Sequence, residues 1–490
     1  MERVPEIRIR NCNEAAVRPA AKYVLYWMIA ARRVTHNFAL DRAIEHCGET
    51  GKPLVILEAL RCGYEWASDR VHRFVINGMA DSAAACAKAG VTYFPYVEPK
   101  LGDGRGLLEA LARDACVVVT DEYPCFFLPR MVAAAAKKLK VRLEAVDSCG
   151  MLPLRATERI FTTAHSFRRF LQKTLPQHLG AVPTPAPLKK TGAIGGAAIA
   201  RDILKRWPAA DLKLLAGTDE SLAKFPIDHS VKPSFLRGGE NAARKCMKHF
   251  FDVGFPHYGD ERNEPEKDVQ SGLSPYLHFG FISVHEIFAE MVRREKWTAA
   301  KLAVRAHGSR AGWWNMSANA EGFLDEVITW REVGYNFSSH SDKYEDYDSL
   351  PEWAKKTLRE HARDERQHLY SLEELEAGQT YDALWNAAQM QLVREGHIHN
   401  YLRMLWGKKI LEWSRTPKDA LRALIHLNNK YGLDGRDPNS YSGIFWILGR
   451  YDRAWGPERP IFGKIRYMSS DNTARKVRVK NYGKKYAPVA

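Results

Sequence analysis

The first 150 residues alternate short apolar runs with amphipathic stretches, and this alternation limits the possible folds more than any other feature of the chain. Continuous apolar strands separated by helices are typical of a parallel, doubly wound sheet. We expect strands in five runs, at 23–29, 53–60, 91–97, 116–121 and 141–147. No GxGxxG follows the first run, so we do not expect this part to bind a dinucleotide in the usual way.

A segment rich in proline, glycine and alanine, residues 176–196, indicates a linker between two domains. Beyond it the apolar spacing is helical and β-branched runs are few, which predicts an all-α second domain. The predicted organisation is an α/β domain over 1–175, a linker over 176–200 and an all-α domain over 201–490. GAIGG at 192–196 follows no predicted strand and is expected to form a turn.

The helical pattern of the second half predicts particular helices. They are expected at 239–252, 283–294, 321–333, 351–363, 371–376, 382–394, 397–414 and 417–430.

A formal net charge of +15 over 490 residues indicates a polyanionic partner, with nucleic acid favoured over an anionic membrane surface. No run reaches the roughly 18 apolar residues of a membrane span, and no secretion signal is recognisable. Eight cysteines without a CxxC pair indicate reduced thiols and a cytoplasmic protein, associated with the nucleoid in a prokaryote. Nothing in the sequence indicates an obligate protein partner.

Two tryptophans, Trp406 and Trp413, lie seven residues apart on one predicted helix, about 10.5 Å along its axis. This spacing fits a buried apolar stripe. It also fits an electron relay to a buried acceptor, because indole can be oxidised reversibly, and the spacing alone leaves both interpretations open. His397 and His399 are two residues apart and point in different directions on a helix, so they predict no metal site.

The segment Ser271–Gly272–Leu273–Ser274 precedes Pro275, which is favoured at the start of a helix. Hydroxyls and free N–H groups at a helix start can hold a phosphate group. The same residues could equally form an ordinary helix cap.

Five motifs in register carry a resemblance to a known family. They are SGLSPYLHFG (271–280), LWNAAQ (384–389), RMLWGKKILEW (403–413), LDGRDPN (433–439) and ERPIFGKIRYM (458–468). Together they resemble class II cyclobutane pyrimidine dimer (CPD) photolyases, of the photolyase/cryptochrome superfamily. The resemblance implies an antenna-type α/β domain, FAD in the all-α domain, UV-damaged DNA as substrate and light-driven electron transfer. It leaves open an antenna chromophore of deazaflavin type, since only Arg33 and Asn37 keep the family's pattern after the first strand.

The resemblance also implies roles for individual residues. Cofactor-binding residues are expected at Tyr258, Ser271, Gly272, Leu273, Ser274, Arg403, Asn428, Asp434, Asp437 and Asn439. Among these, Arg403 and Asp434 would form an ion pair beside the flavin ring. Asn428 would face flavin N5, although a helix C-cap before Gly432 is the plainer interpretation of that residue.

On the substrate side, the resemblance implies that Glu326 hydrogen-bonds the carbonyls of the lesion and that Trp330 and Trp446 pack against it. Glu326 and Trp330 stand at i and i+4, on one helical face. Without the resemblance, Glu326 could simply be a surface or salt-bridged charge. Electron-relay residues are expected at Trp406, Trp385, Trp413 and Tyr370, and phosphate-binding residues at Arg453, Lys464 and Arg466. The other basic residues of the 397–414 helix, including Lys408 and Lys409, are expected to divide between DNA contact and ordinary solvation.

Three functions are compatible with these patterns. The first is light-driven repair of CPDs. The second is a cryptochrome-like FAD photoreceptor without repair activity, which Glu326, Trp330 and Trp446 argue against. The third is a cofactor-free helical protein that binds nucleic acid, which the positive charge alone would permit.

Overall fold

The computed structural model describes residues 3–190 and 195–488. Part of the predicted linker and most of the expected GAIGG turn, residues 191–194, lie outside the described residues. The chain forms two compact units. The sheet unit comprises the described residues of 1–157, 174–247 and 273–299, and the helical unit those of 158–173, 248–272 and 300–490. The units interleave along the chain, and the predicted domain bounds stay predictions.

The sheet unit contains a six-stranded sheet with the order β1-β6-β5-β2-β3-β4. The strands are β1 (Ile9–Asn11), β2 (Tyr23–Met28), β3 (Leu54–Leu60), β4 (Thr92–Val97), β5 (Ala115–Glu122) and β6 (Leu143–Asp147). Strands β2 to β6 pair in parallel, and β1 pairs antiparallel with β6. The predicted fold class, a doubly wound parallel sheet followed by mostly helical structure, is confirmed. Sequence reasoning missed β1, a three-residue, partly exposed edge strand with no apolar run.

The strand order reverses between β2 and β5, and ligands of open α/β sheets usually bind at such a point. Here Asp121, at the end of β5, accepts hydrogen bonds from the backbone N–H groups of Ile29, Ala30 and Ala31 at 2.7–3.0 Å. The carbonyl of Ala30 lies so close to Gly280 that a Cβ at that glycine would come within 2.0 Å of it. At this point of the sheet Asp121 is therefore occupied by backbone N–H groups of the chain itself.

The two residues that keep the family's antenna pattern have structural contacts. Asn37 is the N-cap of the first helix, where its side chain accepts hydrogen bonds from the N–H groups of Ala39 and Leu40. Arg33 is 2% exposed and donates to the carbonyls of His36 and Gly280. Binding of an antenna chromophore near them stays a prediction.

The α-helices account for most of the remaining regular secondary structure. They are α1 (Phe38–Thr50), α2 (Asp69–Ala89), α3 (Leu107–Ala112), α4 (Leu128–Lys138), α5 (Ala164–Thr174), α6 (Arg201–Arg206), α7 (Leu212–Leu215), α8 (Asp219–Leu222), α9 (Glu240–His249), α10 (Tyr258–Glu261), α11 (Ser274–His278), α12 (Val284–Glu295), α13 (Ala318–Leu324), α14 (Arg331–His340), α15 (Glu352–Glu360), α16 (Leu372–Ala377), α17 (Ala383–Glu395), α18 (Asn400–Trp413), α19 (Pro417–Tyr431), α20 (Pro438–Ile447), α21 (Ser470–Lys476) and α22 (Lys480–Lys485).

Two π-helical turns and several 3₁₀ turns complete the described secondary structure. The π turns are Phe250–Gly254 and Asp325–Trp330. The 3₁₀ turns are Glu6–Arg8, Leu154–Ala156, Leu175–His178, Pro187–Lys190, Phe255–His257, Ala299–Lys301 and Tyr347–Ser349. In the described ranges 3–190 and 195–488, no helix has the length and apolar character needed to cross a membrane.

Helix α20 is largely buried and packs against α14, α18 and α19. Glycines permit this close packing. A Cβ at Gly334 of α14 would lie 2.7 Å from the carbonyl oxygen of Pro438, and one at Gly407 of α18 would lie 2.6 Å from Ile447. Sequence reasoning missed α20 because its residues are almost all apolar or small and show no amphipathic period.

Candidate active site

The predicted ion pair of α18 is present. Arg403 Nη2 lies 3.0 and 3.2 Å from the two carboxylate oxygens of Asp434, in the loop after α19. Both side chains are largely buried, with 18% and 11% exposure. The loop is held in place by a hydrogen bond of 2.8 Å from the Leu433 N–H to the Gly396 carbonyl. The pair therefore forms a fixed charge site between the starts of α18 and α20.

Asn428 is buried in the last turn of α19, and its side chain forms no helix cap. Its amide nitrogen donates to Asn429 Oδ1 at 3.1 Å and to the Ser440 hydroxyl at 2.7 Å. Asn429 Oδ1 also accepts a hydrogen bond of 2.9 Å from the backbone N–H of Arg436. Because a backbone N–H can only donate, the Asn429 atom at this place must be the acceptor oxygen. The network thus fixes the orientation of Asn428. Both of its amide hydrogens are used within the protein, so the group it can offer a ligand is the Oδ1 acceptor.

Asp437 and Asn439 form the start of α20. Asp437 is the N-cap, and its side chain accepts the Asn439 N–H at 2.8 Å. Asp437 also accepts a hydrogen bond of 3.2 Å from the Tyr335 hydroxyl of α14. Pro438 stands in the first turn, where its fixed φ favours a helix start. These contacts give both predicted residues a structural part, and their part in cofactor binding stays a prediction.

The predicted pyrophosphate segment leads into a short helix. Gly272 has a φ of 63°, a conformation that favours glycine, and Ser274 is the first residue of α11, followed by Pro275. Leu273 is buried, whereas Ser274 is exposed. Their phosphate contacts stay predictions.

Glu326 and Trp330 share the π turn that joins α13 to α14. The sequence predicts a regular helix through 321–333, but one extra residue per turn interrupts it here. Both side chains are half-buried. The neighbouring Asp325 is fixed by Arg168, which forms two hydrogen bonds to its carboxylate at 2.7 and 3.0 Å. Such π turns often occur at functional sites because they redirect side chains.

Arg262 is a site residue that sequence reasoning missed. Its Nη1 lies 3.2 Å from Glu326 Oε1, and its guanidinium lies 5.6 Å from the ring centroid of Tyr258. Loss of hydration raises the pKa of Glu326, and the positive charge of Arg262 opposes that change. The sequence signal that could have indicated Arg262 is its position four residues after Tyr258, which places the two side chains on one face of a helix. The structure therefore brings Tyr258, predicted to bind the cofactor, to the same place as Glu326.

Trp446 lies near the end of α20 and is half-buried, with two cations close to its indole ring. Lys408 Nζ is 4.8 Å from the ring centroid, and the Arg466 guanidinium is 5.6 Å from it. Arg466 also lies 5.0 Å from the ring of Trp455, and Arg453 lies 4.7 Å from the same ring.

The three predicted DNA-binding residues, Arg453, Lys464 and Arg466, are all exposed. Lys464 forms a surface ion pair with Glu458 at 3.1 Å.

The expectation that Lys408 and Lys409 divide between DNA contact and ordinary solvation is wrong, because both side chains are buried. Lys408 is 0% exposed and Lys409 is 4% exposed. Lys409 forms an ion pair with Glu412 at 3.0 Å, and Lys408 donates to the carbonyl of Ile447 at 2.7 Å. The helix is hidden on nearly all sides because α17 and α20 both pack against it.

The four predicted relay residues lie together in the helical unit. The indole N–H of Trp385 donates to the Trp406 carbonyl at 2.9 Å, and the Trp385 ring lies 5.3 Å from that of Trp413. The ring of Tyr370 also lies 5.3 Å from that of Trp413. Trp385 of α17 thus links the two tryptophans of α18. A further tyrosine, Tyr381, lies 5.7 Å from Trp413 and is 57% exposed.

Comparison with known proteins identifies the family. No protein-family model matches the chain. The chain is 34% identical over 476 residues to a deoxyribodipyrimidine photo-lyase of Methanothermobacter thermautotrophicus, covering 97% of each. It is 33% identical to one from Potorous tridactylus, covering 95% of this chain and 81% of that one, and 32% identical to one from Arabidopsis thaliana, covering 97% and 91%.

A solved structure shows the same fold. It is a bacterial class III photolyase from Agrobacterium tumefaciens, which matches with a TM-score of 0.67 and 16% identity over 95% of this chain and 86% of that one. The identity of the curated relatives extends through both compact units and is well above the level at which only a fold is shared. The chain therefore belongs to the deoxyribodipyrimidine photo-lyase family of enzymes.

Proposed function

We propose that the chain is a class II CPD photolyase, which uses reduced FAD and light to split pyrimidine dimers flipped out of UV-damaged DNA. The observation that carries this proposal is the half-buried carboxyl of Glu326, held on a π turn with Trp330. Its raised pKa favours the protonated form. A protonated carboxyl can donate a hydrogen bond to a lesion carbonyl as negative charge develops there.

FAD fits the chemistry of the groups on α18, α19 and α20. Arg403 offers a fixed positive charge, balanced by Asp434, and Asn428 offers an oriented acceptor. An acceptor suits a ligand N–H, which a reduced flavin carries at N5. When bound, reduced FAD supplies the electron that opens the cyclobutane ring and that the repaired bases return. Ser271, Ser274 and Tyr258 are proposed to contribute to its binding.

The lesion would be held by Trp330, Trp446 and Glu326. Stacking on an aromatic side chain contributes about 1–3 kcal/mol per base, which helps to offset the few kcal/mol needed to flip the dimer out. The exposed cations Arg453, Lys464 and Arg466 would bind phosphates and so position the duplex.

Trp406, Trp385, Trp413 and Tyr370 are proposed to carry an electron towards α18 when the cofactor has become oxidised. Their ring and indole contacts provide the route. Because this route restores the active redox state, its loss should spare repair by protein that has been reduced chemically.

A repair assay on Glu326→Ala tests the proposal. We expect unchanged FAD content but a lower yield of repaired thymines per absorbed photon than in the wild type. An unchanged yield would remove the role assigned to Glu326. Full FAD binding without repair by the wild type would favour a cryptochrome-like photoreceptor.

A further inference from the structure

Lys408 carries a buried ammonium group for which the proposed function gives no role. The side chain is 0% exposed. Its Nζ donates to the Ile447 carbonyl at 2.7 Å and lies 4.8 Å from the ring centroid of Trp446. Within the described residues, no ion pair joins Lys408 to a carboxylate. Both of its contacts are therefore to adjacent residues in the last turn of α20.

The burial of this cation is unfavourable. Loss of hydration lowers the pKa of Lys408 to about 7; the charge of Arg466 acts in the same direction and that of Asp452 opposes it. Asp452 and Arg466 are the charged groups that act on it. Any apolar residue of similar size would avoid the cost of burying an ammonium. The contacts of Lys408 with the Ile447 carbonyl and the Trp446 ring must therefore offset this cost.

The packing of α18 on α20 directs Lys408 to this place. Gly407 precedes it, and a Cβ there would lie 2.6 Å from Ile447 side-chain atoms. The absence of a side chain lets the two helices approach closely enough for the lysine to reach the Ile447 carbonyl. The same approach places its ammonium beside the indole of Trp446, which is half-buried and so has surface left for another ring.

We propose that Lys408 is a positioning residue for Trp446: its ammonium holds the indole and the end of α20 in the orientation that stacks against the extruded dimer. This inference rests on the proposed function, in which Trp446 contacts the lesion. A cation attracts the face of an indole ring, and more strongly when water is excluded. A neutral amine keeps the hydrogen bond to Ile447 but loses that attraction. Discrimination between damaged and undamaged DNA should thus weaken as the pH rises through neutrality.

The test measures dissociation constants in the dark for a duplex with one thymine dimer and for the same duplex undamaged. Holoenzyme is titrated from pH 6 to 8.5 at constant ionic strength, and the ratio of the two constants cancels the shared phosphate contacts. For the wild type we expect the preference for damaged DNA to fall by roughly fivefold or more over this range. For Lys408→Met we expect a smaller preference and a weaker pH dependence.

Lys418→Met is the matched control. It removes an exposed lysine whose Nζ lies 5.6 Å from the ring of Tyr347, so it makes the same chemical change on the surface without touching Trp446. It should keep the wild-type profile. A wild-type profile in Lys408→Met would overturn the inference.

Two further measurements keep the test decisive. Burial raises the pKa of Glu326, so the wild-type lysine is also measured in a Glu326→Gln background, where this carboxyl cannot contribute to the pH profile. A flat profile there overturns the inference even if Lys408→Met does not fold. Trp446→Ala separates the two proposals. If it leaves the preference for damaged DNA intact, the proposed role of Trp446 fails; if it removes the preference and Lys408→Met does not, only the role of Lys408 fails.

Discussion

The substitution Lys408→Met should change how the stability of the protein depends on pH. Lys408 has a pKa of about 7 in the folded protein because burial removes its hydration, compared with 10.5 for an ordinary lysine. Between these pH values the unfolded chain binds a proton that the folded chain does not. The free energy of unfolding of the wild type should therefore rise with pH from about 7 to about 10.5.

The size of this rise in unfolding free energy follows from the difference between the pKa of Lys408 in the folded and in the unfolded chain. Each pH unit contributes about 1.4 kcal/mol, so the rise from pH 7 to pH 10 amounts to about 4 kcal/mol. Other groups titrate in this range in both proteins, and subtracting the Lys408→Met profile removes their contribution. The difference in the free energy of unfolding between the wild type and Lys408→Met should therefore change by about 4 kcal/mol from pH 7 to pH 10.

Urea unfolding at pH 7, 8, 9 and 10 measures this difference. We expect the wild type to gain stability relative to Lys408→Met at each step. Lys418→Met should run parallel to the wild type, because the Lys418 side chain is exposed and its ammonium stays hydrated in both the folded and the unfolded chain. Parallel profiles for the wild type and Lys408→Met would refute the assignment of Lys408 as a buried amine with a lowered pKa.

Four other substitutions or conditions have defined outcomes. Glu326→Gln should keep more repair activity than Glu326→Ala, because an amide still donates a hydrogen bond; equal losses at equal FAD content would contradict this. Arg262→Gln removes the charge that opposes the raised pKa of Glu326, so the loss of repair with rising pH should occur at higher pH than in the wild type; an unshifted pH profile would argue against the pairing. Trp406→Phe should block photoreduction of oxidised FAD, whereas Trp353→Phe, a tryptophan outside the relay, should not; normal photoreduction in Trp406→Phe would place the route elsewhere. Affinity for damaged duplex should fall steeply with salt, and Arg466→Ala should reduce the slope of log K against log salt by about 1; an unchanged slope would exclude a phosphate contact.

The sheet could be predicted from sequence because its central strands are buried on both faces. Five continuous apolar runs correspond to β2 through β6, with bounds that differ by no more than two residues. The edge strand β1 escaped prediction since it is short and partly exposed. Most predicted helices of the second half are present for a similar reason: their apolar residues recur with helical spacing.

Local patterns could not reveal features that depend on tertiary packing. Helix α20 has no polar face because it is enclosed by α14 and α18. The π turn at Asp325–Trp330 leaves no composition signal, although it positions Glu326 and Trp330. A lysine in sequence indicates solvation, so the burial of Lys408 could be found only once α20 was known to cover it. The pairing of Glu326 with Arg262 likewise joins residues that are distant in the chain.

Light-dependent repair is the most direct test of the central claim that this chain splits pyrimidine dimers with light. Purified, reduced protein is mixed with an oligonucleotide that carries one thymine dimer, and restored thymines are counted after illumination and in the dark. We predict repair only in the light, with a wavelength dependence that follows the absorption of the reduced flavin. Repair in the dark, or no repair at any wavelength by protein that contains reduced flavin, would contradict the account.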